Sequence, residues 1–180
     1  MRRLAIVGML VALAMLLPGP LAGASGHKPP AKHHKSKPKP KPKASALATS
    51  CTVVTQAEAG AALGQSVTTG VLGHATVEGG LACVYYGPSA PPGASPDVPS
   101  PDSVRVVLVT GTDALKWFND YKGKVHAQAI SGLGDQAYYD GYASVSVLKG
   151  NEYLRVAVAG PTGISMSAEE QLARDALPRM

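Results

Sequence analysis

Residues 143–159 read Ala143-Ser-Val-Ser-Val-Leu-Lys149, then Gly150-Asn151, then Glu152-Tyr-Leu-Arg-Val-Ala-Val-Ala159. Two alternating runs around a Gly-Asn pair spell a β-hairpin closed by a tight primed turn. A two-residue loop sets the register. Lys149 lies opposite Glu152, Leu148 opposite Tyr153, Val147 opposite Leu154, Val145 opposite Val156, and Ala143 opposite Val158. The Val147–Leu154, Val145–Val156 and Ala143–Val158 pairs share one side. Ser146–Arg155 and Ser144–Ala157 share the other. A slip by one residue would exchange the faces, so the pattern and the turn specify the same pairing. The expectation is a hairpin with one face on a core and the other in water.

Working upstream, Gly132-Leu-Gly-Asp135 is a turn that feeds a short strand, Gln136 to Asp140. Asp113 to Lys122 is a helix, capped by Thr112 or Asp113 and stopped by Gly123, with Leu115, Phe118 and Tyr121 along one stripe and Trp117 beside it. Val104 to Thr110 is a strand with apolar residues on both faces, which marks a covered, central position. Residues 87–103 are rich in Pro, Ser and Gly and read as a long, mobile surface loop. Ala82 to Tyr86 is a further strand, and the pattern from Val67 to Gly80 is weak. Thr55-Gln-Ala-Glu58 is a capping box that opens a short helix ended by Gly64. Downstream, Gly160-Pro161-Thr-Gly163 is a loop. Ser167-Ala-Glu-Glu170 is a second capping box, opening a last helix with Leu172, Ala173, Ala176 and Leu177 on one face. Glu170 and Arg174 stand four apart on its surface, and Pro178 ends it. The order is helix, strands, helix, strands, helix, with short turns between strands. That predicts an α+β fold: an antiparallel sheet with helices packed on one face. The two halves also read as a loose repeat of helix followed by strands.

The chain has 180 residues. Residues 1–24 form a signal peptide, with Arg2 and Arg3, an apolar run from Leu4 to Leu17, and the small-x-small site Ala22-Gly23-Ala24. The run is short for a membrane span, which takes about 20 residues. Cleavage after Ala24 and export are expected, with an uncleaved signal anchor as the competing reading. Residues 25–46 form a Lys/Pro-rich tether, and residues 47–180 the globular domain. In the tether, prolines deny a helix its N–H groups and lysines repel one another, so the segment should extend as polyproline II. Lys28, Lys32, Lys35, Lys37, Lys39, Lys41 and Lys43 carry its charge. With those seven and the two N-terminal arginines set aside, eight basic residues face all twelve acidic ones, a net charge of −4. The overall charge of +5 therefore belongs to the tether. Cys51 and Cys83 are the only cysteines. In an exported chain such a pair reads as a disulfide, worth about 3–4 kcal/mol for a loop of that length in the chain-entropy model.

Cys51, Val54-Thr55-Gln-Ala-Glu58, Ala61-Ala62-Leu63-Gly64, Cys83-Val-Tyr85 and Gly132-Leu-Gly-Asp135-Gln-Ala-Tyr138 occur in that order. From Cys51 to the C-terminus the chain resembles small exported actinobacterial proteins, many of them lipoproteins, that carry a domain of unknown function. It is also similar to extracytoplasmic sensor domains of actinobacterial kinases. The resemblance implies a Cys51–Cys83 disulfide and an antiparallel sheet with packed helices, and it implies no catalytic residues. This chain departs from it in lacking a lipid-attachment cysteine and in carrying the lysine–proline tether.

Several motifs admit chemistry but have simpler readings. Gly132-Leu-Gly-Asp-Gln-Ala137 has the glycine spacing of a dinucleotide loop, yet a strand pattern follows it, so the glycines serve a turn with Asp135 bonding its own backbone. Ser146-Val-Leu-Lys149 has the spacing of a serine acyl-enzyme motif, but on a strand the two side chains point to opposite faces. A Ser-His-Asp relay would have to draw on His74 or His126, neither of which lies in a nucleophile-elbow context. Asp135 with Asp140, or Glu169 with Glu170, would have to supply a carboxylate pair, and each has a local structural role. Trp117, Phe118 and Tyr121 offer an aromatic sugar platform or a core stripe. His27, His33 and His34 lie in a polar tract where metal binding is the minor reading.

No cofactor or metal is implied. The tether suits anionic envelope polymers or lipid head groups, with a solvated spacer as the competing reading, and export argues against nucleic acid. The expected function is a secreted, non-catalytic binding or sensing domain, cell-envelope associated, with an unidentified ligand or protein partner. The competing class is a wall-directed hydrolase.

Overall fold

The structure is a computed structural model that describes residues 49–180. The signal peptide and the tether, with all seven of its lysines and His27, His33 and His34, lie outside the described residues.

The hairpin is present in the expected register. β6 (Val145–Lys149) and β7 (Glu152–Gly160) pair Lys149 with Glu152, Leu148 with Tyr153, Val147 with Leu154, Ser146 with Arg155 and Val145 with Val156. Gly150 has φ +55°, the left-handed conformation that the first residue of such a turn takes. Ala143 lies before β6, so the Ala143–Val158 pair falls outside the paired strands; on its other side Val158 pairs with Val104.

Around this hairpin an eight-stranded antiparallel sheet is built. β1 (Val71–His74), β2 (Leu81–Tyr86) and β3 (Ser103–Thr110) form one meander. β4 (Gln128–Ile130), β5 (Gln136–Tyr139), β6 and β7 form the other. The order is β1-β2-β3-β7-β6-β5-β4, so the meanders join along β3 and β7 over the eight pairs from Ser103–Ala159 to Thr110–Glu152. A short β8 (Gly163–Ile164) pairs with the end of β7. β1, β4 and β8 went unread in the sequence. They are two to four residues long, and β1 and β4 are the sheet's edges, where one-sided contact leaves little periodicity.

The α+β class holds; the placement of the helices on one face does not. α1 (Ser50–Val53), α2 (Gln56–Leu63) and α4 (Met166–Ala176) cover one face, over Val104, Val106, Leu108, Val145, Val147, Leu154, Val156 and Val158. α3 (Ala114–Lys122) covers the other, over Val107, Val109, Tyr138, Leu148 and Tyr153. The physical reason is visible in β3, whose residues from Ser103 to Val109 are all buried. A strand apolar on both sides demands cover on both. The second face of the hairpin is accordingly dry rather than wet, with Ser146 and Tyr153 fully buried. The repeat is not reproduced in space either, because α2 and α3, the corresponding helices, lie on opposite faces.

The first capping box forms as read. The Thr55 hydroxyl accepts from the Glu58 N–H at 3.2 Å, the Thr55 N–H donates to Glu58 Oε2 at 2.8 Å, and Gly64 closes α2 in the left-handed region. The second box is displaced. The cap of α4 is Ser165, accepting from the Ala168 N–H at 3.3 Å, and not Ser167. This earlier start places Glu169, Leu172, Ala173 and Ala176 against the sheet. A 3-10 turn, Leu177–Arg179, follows, and its Arg179 bonds Glu58 and the Val53 carbonyl. The Cys51–Cys83 disulfide is formed, joining α1 to β2 with 5.1 Å between Cα atoms. Among the described residues no helix is long and apolar enough to cross a membrane.

Candidate functional site

Charge on the α3 face is buried and paired. Glu78, in the β1–β2 turn, Arg105 on β3, Arg155 on β7 and Asp140 after β5 form a continuous chain. Arg105 donates from Nη1 to Glu78 Oε1 at 2.7 Å and from Nη2 to Oε2 at 3.3 Å. Arg155 bonds Glu78 through Nη1, Asp140 through Nη2 at 3.3 Å, and Ser144 Oγ through Nε at 2.7 Å. The Arg155 guanidinium lies 4.1 Å from the centre of the Tyr121 ring, whose hydroxyl donates to Asp140 at 3.0 Å. Asp140 Oδ1 also accepts from the N–H groups of Tyr142, Ala143 and Ser144.

Burial works against ionising both acids, but their partners outweigh it. The Arg105 hydrogen bond and the two guanidinium charges hold Glu78 below its ordinary value. The Ser144 hydroxyl, the backbone N–H groups and the Tyr121 hydroxyl do the same for Asp140. Burial pushes Tyr121 up to about 12. Two cations and two anions with their lone pairs occupied make a structural clasp, because removing any member would leave its partner charged and unpaired. Arg105 extends the clasp to the long loop, donating from Nε to the Pro96 carbonyl at 3.0 Å.

The clasp fixes the turn that carries Gly79 and Gly80. Both have positive φ, +71° and +86°. A Cβ on Gly79 would sit 2.3 Å from the Trp117 indole, and one on Gly80 would sit 2.6 Å from the Leu108 carbonyl oxygen. The indole is therefore laid flat on bare backbone. α3, which carries Trp117, is seated by Phe118. That ring is buried between Tyr138, 5.0 Å away, and Tyr153, 5.6 Å away and edge-on. Such aromatic contacts contribute about 0.5–1.5 kcal/mol each beyond area burial.

Between Trp117 and α1 lies a cleft of about 290 Å³ at the end of β2 and β3. Leu81, Leu108 and Val109 line its base, with the Leu108 and Val109 side chains turned into the cores on opposite faces of the sheet. One wall is Trp117 and Asp113, the other Thr49 and Ser50, and Thr110 closes the strand end. The Ser50 wall is held by the neighbouring Cys51–Cys83 bond. Three restraints thus converge on one cleft: the disulfide on α1, the ion clasp on the β1–β2 turn, and the aromatic seat of α3. Ser50 is fully buried, so its Oγ, which has no hydrogen-bond partner among the described residues, lies behind the cleft surface rather than on it. Asp113 stands at the cap position of α3, yet its carboxylate makes no capping bond.

The residues singled out from sequence are mostly dispersed. Ser146 Oγ lies 3.4 Å from Tyr153 Oη on the α3 face, while Lys149 Nζ donates to the Leu177 carbonyl at 2.6 Å on the other side. Asp135 bonds the Gly150 N–H at 2.6 Å rather than its own backbone, tying its turn to the hairpin. Asp140 belongs to the clasp, so those two acids are not a pair. Glu169 is buried and Glu170 bonds Arg174 at 3.4 Å, so neither are these. His74 is exposed on β1, and His126 is exposed beside Tyr142. Of the aromatic platform, Phe118 is core and Tyr121 clasps Asp140; Trp117 alone lines the cleft.

Sequence reasoning missed Glu78, Arg105 and Arg155 as a unit. The available signal was a lone arginine in each of two central strands, where a charge demands a buried partner. Ser50 and Asp113 gave none. Among the described residues no group of three or more His, Cys, Asp and Glu is placed to hold a metal ion. No family model, no curated protein and no solved structure matches the chain.

Proposed function

We propose that the chain is an exported binding domain carried on a cationic tether that holds it at anionic surfaces of the cell envelope. The observation that carries this reading is the partition of charge: seven lysines within residues 28–43 against a net −4 from residue 44 onward. A single-sign run attracts polyanions through many weak contacts, each contributing about 1 kcal/mol near an anionic membrane surface and fading within a Debye length. The acidic domain adds nothing to that attraction. The disulfide supports an oxidising compartment. The preorganised cleft supports recognition of a ligand by the domain.

The test is sedimentation with cell-wall fragments. The mature chain is compared with a variant in which the seven lysines are glutamine, at low and high salt. Retention is expected to be strong for the native chain at low salt, weak at high salt, and weak for the variant at both. Equal retention of the two proteins would place envelope binding in the domain and reduce the tether to a spacer.

A further inference from the structure

We infer that export creates a copper site: cleavage after Ala24 leaves a chain that begins Ser25-Gly26-His27, and these three residues hold one Cu(II) ion. This site is additional to the envelope reading and shares with it only the cleaved signal peptide.

A histidine in third place from a free terminus sets four nitrogens in sequence: the Ser25 amine, the Gly26 amide, the His27 amide and His27 Nδ1. Around one ion, the amine and the Gly26 amide close a five-membered chelate ring. The two amides close a second. The His27 amide and Nδ1 close a six-membered third. Planar peptide units keep these nitrogens close to one plane, so the set is square. Square-planar nitrogen ligation selects Cu(II) or Ni(II), whereas zinc takes tetrahedral surroundings. The ligands are consecutive in the chain, so the site requires no fold.

The residues meet each demand. Both amides bind as anions, which requires an N–H at positions 26 and 27, and proline has none. The tract is rich in proline, yet the first proline after Ala24 is Pro29. Gly26 places no side chain over the metal plane. The ion displaces the proton of each amide and any proton on the amine, while the imidazole binds neutral; affinity therefore rises with pH. Two amidates cancel the charge of the ion, so the bound centre is neutral and the lysines that follow do not repel it.

Position, rather than histidine content, makes the site. His33 and His34 lie beyond Pro29 and Pro30, which interrupt the run of amides. The folded domain offers no rival of this kind. Both cysteines are spent in the Cys51–Cys83 bond, so no thiolate competes for copper or reduces it. Among the described residues no three His, Cys, Asp or Glu side chains are grouped to hold a metal.

The test uses the secreted protein. Intact mass and N-terminal sequencing should place its terminus at Ser25. Copper(II) sulfate, titrated against glycine as a competing chelator, should give one visible d–d band that saturates at one equivalent. Nickel(II) should give the diamagnetic square-planar form. Groups that merely support a metal ligand are worth about 10–100-fold in affinity, so His27→Ala, which removes a ligand, should cost at least about 100-fold. The same chain begun at Ala24 should also lose the band, because it keeps every histidine but moves His27 to fourth place. The His33→Ala/His34→Ala double variant should bind as the native chain does.

A secreted chain with any terminus other than Ser25 overturns the inference. So does an undiminished band in His27→Ala or in the chain begun at Ala24, and so does loss of the band in the double variant. His27→Ala keeps all seven tether lysines, so it should sediment with wall fragments as the native chain does. Failure of copper binding is thereby distinguished from failure of the tether.

Discussion

Glu169 carries an unpaired oxygen into the core. Its Oε1 accepts from the Val158 N–H at 3.1 Å, where β7 has run past the end of β6 and has not yet met β8. Its Oε2 is buried without a partner. Burial raises its pKa from 4.5 to about 7; the Val158 N–H opposes the rise, the Asp140 charge adds to it, and Arg155 opposes it. The native state thus holds the proton more tightly than the unfolded chain does. The sign follows: the stabilisation is complete below pH 4.5 and is lost as pH rises through about 7. Glu169→Gln keeps an acceptor for Val158 and cannot ionise. It should be more stable than the native chain above neutral pH, by on the order of 3 kcal/mol, and the difference should vanish below pH 4.5. Urea unfolding of both proteins across that range decides the matter, and parallel curves at all pH values would show Glu169 to be solvated. The sequence disguised this residue. Two serines, Ser165 and Ser167, can each cap α4, and only packing against β7 selects the first and turns Glu169 inward.

At the scale of elements, the hairpin was legible and its surroundings were not. A two-residue turn between alternating runs leaves one register, and the pairs from Val145–Val156 to Lys149–Glu152 follow it. Ser146 and Arg155 nevertheless read as solvent-facing, because a polar residue on a strand says nothing of what a helix will later lay over it. The clasp was illegible for the same reason: the partners of Glu78 stand 27 and 77 residues away. The turn itself gives a clean test. Nothing lies within 4 Å of a Cβ built on Gly150, so a substitution there meets only the backbone conformation at φ +55°. Gly150→Val should lower stability by about 1–3 kcal/mol, the cost of holding a β-branched residue in that region, and Gly150→Asn by less. Thermal melts of the two variants would show the ordering. An unchanged melting temperature for Gly150→Val would mean that the turn does not need its left-handed residue.

Across residues 49–180, both layers of helices depend on one sheet, and the two ends of that described stretch are fastened by two separate devices. Arg179, next to the C-terminus, bonds Glu58 on α2 and the Val53 carbonyl at the end of α1. At the other end of the domain the disulfide binds α1 to β2 across 32 residues. α1 is only four residues long and has no stability of its own. Without the bond its attachment rests on Val53 and Val54 in the core and on the Tyr85 hydroxyl, which donates to the Val54 carbonyl at 2.5 Å. The cysteine pair was readable because export and an even count leave one pairing; that it would anchor a wall of a cleft was not, since α1 carries no periodicity to announce it. Cys83→Ser should therefore cost about 2–5 kcal/mol of unfolding free energy. Reductant should lower the native chain to the same level and leave the variant unmoved. Alkylation of both cysteines in the untreated protein, or a variant as stable as the native chain, would remove the disulfide from this role.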